Sequence, residues 1–293
     1  MLRPPPVARA LALFTPAARV HAPHSHAAVI LLAALLFTLS CADTARRART
    51  ELILASTTSL YDSGLLDELL PSFEAAQPTI RVKLVAVGSG HALELGRRGD
   101  ADVLLIHSPD DEDAFMAGGH GVRREAVMRN DFVVVGPASD PAVLAGSPTV
   151  LEGMRRIAAT RPPFISRGDS SGTHRSEVRL WQQASVAGHA LHFRTEVGQG
   201  MGETLVIASE RRAYTLTDRA TFAALSGRLG LVVLAEGGAE AVNRYSVITV
   251  AGARHAAGAD AFADWITSHA ARDLIVRYGA DGHGRPLFDV DSR

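Results

Sequence analysis

The 293-residue chain carries one cysteine, Cys41, and one lysine, Lys83. With no cysteine pair, no disulfide holds the fold, even in an oxidising compartment. A composition of 47% hydrophobic and 21% charged residues is enough to build a buried core instead. Internal repeats and low-complexity segments are absent, which excludes solenoids and fibrous arrays. No apolar run is long enough to span a bilayer comfortably. The longest, Ala27 to Leu39, has 13 residues and fits the core of a signal peptide.

Residues 1–41 are therefore expected to be an export signal, with Arg3, Arg9 and Arg19 their only charges. Cys41, preceded by Ser40, resembles the lipobox cysteine of bacterial lipoproteins, although Thr38 stands where leucine is usual. The reading is an extracytoplasmic protein with Cys41 as a candidate lipid anchor, ordinary cleavage near Cys41 being the alternative. The histidines His21, His24 and His26 fall in this leader and are discarded as a metal cluster. Past it, 27 basic residues face 31 acidic ones, a net charge of about −4. Dispersed and mildly acidic, such a chain is unsuited to nonspecific nucleic-acid binding.

After a polar tether over 42–50, "ELILAS" (51–56) reads as a buried strand and Gly64 to Ala76 as a helix with leucines at helical spacing. Ser59 and Asp62 have the spacing of a capping box at its start. "IRVKLVAV" (80–87) and "ADVLLIH" (101–107) are further strands around a short helix from His91 to Leu95. This βαβαβ opening predicts a parallel sheet covered on both faces. "DFVVVGP" (131–137) is a strand ending at a natural domain crossing, and "PFIS" (163–166), "LGLVVLAE" and "YSVITV" (245–250) complete the strands. Helices are read around Leu151, Met154 and Ile157, around Glu177 to Trp181, over "ETLVIASE", after a Thr217-Asp218 cap, and near the C-terminus.

Three loops share one design: an apolar strand, a run of Gly and hydroxyl residues, then a helix. They are Ser56-Thr57-Thr58-Ser59, Gly88-Ser89-Gly90 and Arg167 to Thr173. Such loops at the carboxyl ends of strands converge on one crevice. Each offers free backbone N–H groups where the helix dipole also favours negative charge. One such loop is ordinary capping; three together, one with an arginine, point to an anion site. Arg167 has the planar fork for a tetrahedral oxyanion, and Asp169 can orient it by an ion pair. His174 reads as a first-turn residue with a backbone role.

A different class competes for the same stretch. "RGDSSGTH" contains Gly168, Ser170 and Gly172 in the G-x-S-x-G pattern of α/β hydrolases, with Asp218 and His255, His269 or His283 in the matching chain order. That reading lacks an upstream oxyanion segment and leaves the other two hydroxyl loops without a purpose. "GQGMG" (198–202) has Glu203 where a dinucleotide fingerprint needs glycine, so a tight turn or an element beside the cleft is expected there.

The blocks "ASTTSLYDSGLLDELLPSFE", "VAVGSGHALELGRRGDADVLLIH", "VMRNDFVVVGP", "RGDSSGTH", "GQGMGETL", "AYTLTDRATF" and "NRYSV" together resemble the tungstate-binding periplasmic proteins of Tup-type ABC importers, from about Leu52 to the C-terminus. The resemblance implies an α/β type II periplasmic-binding fold, two lobes joined by two crossings with the ligand between them. The lobes would be 51–135 with 247–293, and 136–246. Thr57, Thr58, Ser59 and Ser89 would bind from the first lobe, and Arg167, Ser171, Gly172 and Thr173 from the second. The usual TTTS is Ser56-Thr57-Thr58-Ser59 here, which keeps every hydroxyl. The ligand would be tungstate or molybdate, with phosphate the alternative because R-x-D-x-S-G-T also resembles phosphate-binding relatives. A monomer without cofactor or resident metal, not an enzyme, is implied, with a membrane permease and its ATPase as partners.

Overall fold

A computed structural model describes residues 49–185, 192–279 and 286–290. The export signal, Cys41 and His283 lie outside the described residues. Nine strands are described: β1 (Thr50–Thr57), β2 (Ile80–Val87), β3 (Val103–Ile106), β4 (Gly121–Pro137), β5 (Phe164–Ser166), β6 (Arg194–Glu196), β7 (Thr215–Asp218), β8 (Leu231–Ala235) and β9 (Val242–Val250). Between them run α1 (Thr58–Asp62), α2 (Leu65–Ala76), α3 (Ser89–Arg97), α4 (Pro109–Ala117), α5 (Val150–Thr160), α6 (Gly172–Gln183), α7 (Met201–Glu210), α8 (Arg219–Leu225), α9 (Ala256–Ile266) and α10 (His269–Arg277).

β1 pairs in parallel with β2 and β3, as the βαβαβ pattern requires. The expectation of a parallel sheet fails beyond that point. β9 runs antiparallel to β3 and to the first part of β4, and β7 and β8 run antiparallel to the rest of β4. The cause is that β4 and β9 carry the chain out of one sheet region and back, and so necessarily run in opposite directions. β4 exchanges partners between Asp131, which faces Val242 on β9, and Phe132, which faces Asp218 on β7.

Strand periodicity assigns the cores. Leu52 and Leu54 on β1, with Val103 and Leu105 on β3, face one cluster with Phe73 and Phe262. Ala55, Leu104 and Ile106 point the other way, onto Leu93 and Phe115. In the far half of β4 the alternation repeats: Phe132 and Val134 join Trp181, and Val133 and Val135 join Leu205. Each half of the molecule thus has a sheet covered on both faces.

Three local expectations are corrected. Asp62 does not cap the helix after it: α1 begins at Thr58 with Thr57 as its cap, and Gly64, at φ +82°, separates it from α2. β4 starts ten residues before the strand expected at Asp131, because Val122 is exposed and Arg123, Arg124 and Glu125 disguise its first half. α4 goes unseen in the sequence because its first turn is Pro109 followed by Asp110, Asp111 and Glu112, a sound helix start with little apolar pattern.

Candidate anion site

The first loop is built by capping. Thr57 Oγ1 accepts the Leu60 N–H at 3.2 Å and lies 3.1 Å from Ser59 Oγ. Ser56, the position that departs from TTTS, donates its hydroxyl to the Leu105 carbonyl at 2.8 Å and so ties β1 to β3. In the second loop Gly88 ends β2 in extended backbone and Ser89 opens α3, fully buried. The third loop turns through Gly168 at φ +64° and Ser170 at φ +57° before Ser171 caps α6, accepting the His174 N–H at 3.2 Å.

Arg167 follows β5 and is 2% exposed, unusual for a cation. Its Nη2 donates to Thr58 Oγ1 at 3.0 Å and to Asp169 Oδ2 at 2.5 Å. The other oxygen of Asp169 accepts the Ser171 N–H at 3.2 Å. Asp169 is thereby committed on both oxygens. His174 has the backbone role expected of it: its Nδ1 faces the Gly168 N–H at 3.1 Å.

The three loops meet. A Cβ placed on Gly88 would lie 3.4 Å from Ser171, and one on Gly90 would lie 3.0 Å from the Ser170 carbonyl. One on Gly172 would sit 2.2 Å from the His107 carbonyl, an impossible approach. Thr221 donates its hydroxyl to the Ser59 carbonyl at 2.9 Å, and Gly202 its N–H to Asp62 at 3.0 Å. The "GQGMG" segment therefore opens α7 against α1, beside the seam. All eight residues expected to bind the ligand fall on these three loops, and Thr57, Ser59, Ser89, Arg167, Ser171, Gly172 and Thr173 are buried.

Among the described residues, six buried side-chain polar atoms have no hydrogen-bond partner. Four of them, Ser89 Oγ, His107 Nδ1, Arg167 Nε and Thr173 Oγ1, belong to this seam. Buried polar groups are otherwise satisfied, so such clustering marks groups directed at something other than the protein. Ser171 Oγ, by contrast, has a protein partner, accepting the His174 N–H in the helix cap while keeping its own proton.

His107, at the end of β3, is the residue that sequence reasoning missed. Its Nε2 lies 3.3 Å from Ser59 Oγ, and its ring packs against Tyr245 at 4.8 Å. Burial, and then the nearby Arg167 cation, push its pKa down to about 3, so the imidazole is neutral. The available signal was its place at a strand's carboxyl end, the same end that carries Thr57 and Ser89. Behind it Asn243 donates to Asn130 at 2.8 Å, and Asn130 to Asp218 at 3.1 Å.

The hydrolase constellation is not brought together. Asp218 caps α8, its oxygens taken by Thr221 and Asn130, and burial holds its pKa up. His255 and His269 begin α9 and α10, where the His255 N–H meets Asp102 at 2.9 Å. Ser170 is exposed.

Residues 42–270 match the PBP superfamily domain. The tungstate-binding protein TupA of Peptoclostridium acidaminophilum is 44% identical over 248 residues, 83% of this chain and 86% of that protein. The chain belongs to the PBP superfamily, in the TupA family. Two solved structures agree. The tungstate ABC transporter protein of Geobacter sulfurreducens has a TM-score of 0.71 at 42% identity, covering 78% of this chain and 98% of the other. TupA of Desulfovibrio alaskensis G20 has 0.68 at 38%, covering 83% and 100%. The fold of this TupA-family chain is accordingly the type II periplasmic-binding fold, with β4 and β9 as its crossing strands.

Proposed function

We propose that the chain is the extracytoplasmic binding component of an ABC importer, holding tungstate or molybdate between its lobes and presenting it to a membrane permease. The observation that carries the reading is the set of four unpartnered buried polar atoms contributed by loops on both sides of one seam. The relatives named for tungstate support the choice of ligand. Thr57, Thr58, Ser59, Ser89, Arg167, Ser171, Gly172 and Thr173 line the site in this reading. Lobe closure is a hinge motion about β4 and β9. In this reading the first crossing lies where β4 exchanges partners, between Asp131 and Phe132, and the return lies where β9 begins, at Val242. No bond is made or broken, so no residue is assigned as catalytic. The leader directs export, and Cys41 at its end is the candidate lipid anchor.

Asp169 favours the first of the two ligand classes. At neutral pH hydrogen phosphate carries a proton and needs an acceptor, whereas tungstate does not. With one oxygen on Arg167 and the other on the Ser171 N–H, Asp169 is already engaged on both oxygens, which disfavours it as that acceptor. Calorimetry on the purified protein with tungstate, molybdate, sulfate and phosphate should show tight binding of the first two and little heat from phosphate. Tight phosphate binding without tungstate heat would sink the reading.

A further inference from the structure

We infer that His107 is itself a ligand of the oxyanion, donating its Nδ1–H from the first lobe to the anion held by Arg167 and the start of α6. This rests on the proposed oxyanion function. The ring is 2% exposed and held between neighbours: Tyr245 at 4.8 Å, Phe132 at 6.2 Å, and Ser59 Oγ at 3.3 Å from Nε2. It has no freedom to turn Nδ1 toward bulk water. Nδ1 points instead at the first residue of α6, where a Cβ on Gly172 would approach it to 2.7 Å. The next residue, Thr173, carries another unpartnered buried hydroxyl. Two orphaned polar atoms, one from each lobe, thus belong to the same helix start at the seam.

The tautomer follows from what the site holds. A neutral imidazole has one N–H and one lone pair. With the proton on Nε2, the Nδ1 lone pair would face the anion's oxygens, which is repulsive. With the proton on Nδ1, Nε2 accepts from the Ser59 hydroxyl and the N–H faces the anion. Asn243 also bonds the ring, and Tyr245 also meets Ser59 and Thr57. With the anion bound the hydroxyls still allow this direction: Thr57 Oγ1 accepts the Leu60 N–H, leaving its own proton for Ser59 Oγ at 3.1 Å, and Ser59 then donates to Nε2. Each bond in this chain polarises the next toward the ligand. Ser59 in this arrangement acts through His107 with its side chain.

Two substitutions separate the ligand role from a structural one, since an asparagine amide takes the place of Nδ1 and a glutamine amide that of Nε2. In tungstate titrations His107→Asn should stay within about tenfold of wild type, and His107→Gln should lose about 10- to 100-fold, the loss for a hydrogen bond to a charged group. The reverse order, or two variants both near wild type, would overturn the assignment. Nitrogen-15 NMR of the wild-type histidines gives a test independent of variant folding. Addition of sodium tungstate should leave His107 protonated on Nδ1 and displace that proton's resonance; protonation on Nε2 in the complex would overturn it. A wild-type protein that ignores tungstate altogether would overturn the function and this inference together, and the control titration reveals it.

Discussion

The two lobes bring different chemistry to the seam. In the proposed reading the first supplies neutral donors only: the hydroxyls of Thr58 and Ser89, and an imidazole that burial keeps uncharged and that Thr57 and Ser59 support from behind. The second supplies the one buried cation of the site, Arg167, already paired with Asp169. Arginine and carboxylate together are neutral, so closing the seam buries an ion pair rather than a bare charge. On that reading an incoming dianion shares the guanidinium and relies for the rest on dipoles from both sides. The proposed reading is thus a division of labour: the second lobe attracts the anion with its cation, and the neutral donors of the first complete the replacement of its water.

The strongest break in that division is Arg167→Ala. It removes the buried cation that the seam offers the ligand and leaves Asp169 as an uncompensated carboxylate beside it. Truncating one partner of a buried, hydrogen-bonded charge pair costs about 2–5 kcal/mol, which in tungstate calorimetry is a loss of roughly 30-fold to a few thousand-fold. Arg167→Lys should recover part of this, because the charge returns without the planar fork that reaches Thr58 and Asp169 together. Near-normal affinity in Arg167→Ala would move the centre of the site away from the second lobe.

The contrast between lobes was partly visible in the residues. Three hydroxyl loops after apolar strands, one with an arginine, are local patterns, and local patterns survive in a sequence. What was hidden depends on partners far along the chain. Asp62 has capping-box spacing with Ser59, yet it accepts the Gly202 N–H, 140 positions away, across the seam. His107 looks like an ordinary residue at a strand end, because its neighbour Gly172 is distant in sequence and has no side chain to signal the contact. The strand around Asp131 was legible, but its exchange from β9 to β7 belongs to pairing and not to composition. The G-x-S-x-G match has a physical source too: Ser170 does sit in left-handed backbone, as a tight turn requires, without a histidine partner.

Gly172→Ala tests whether the lobes must meet as closely as they do. The added Cβ would lie 2.2 Å from the His107 carbonyl, so the second lobe would have to stand off. Overpacking of this kind costs about 1–3 kcal/mol, and tungstate affinity should fall by roughly 5- to 150-fold. The cost lies in the contact between lobes and not in the helix: Gly172 is the first residue of α6, without a positive φ, where alanine is tolerated. The ligand-free protein should therefore melt no lower than wild type, and a clear drop in its Tm would show that the glycine serves folding instead of closure.

Ser89→Ala is the gentlest test and the one with opposed signs. Ser89 Oγ is buried without a protein partner, so removing it deletes an unsatisfied group and should leave the ligand-free protein as stable as before or slightly more so. Bound tungstate would lose one neutral donor among several, a loss of about tenfold. Most mutations that weaken a binding protein also weaken its fold; here affinity should fall while Tm holds or rises. Thermal melts with and without tungstate read both at once, because the ligand's contribution to Tm shrinks with affinity. If Ser89→Ala instead lowers the ligand-free Tm and leaves the tungstate shift intact, Ser89 serves the first lobe's folding, and the donors that strip the anion's water must be sought at Thr58 and His107.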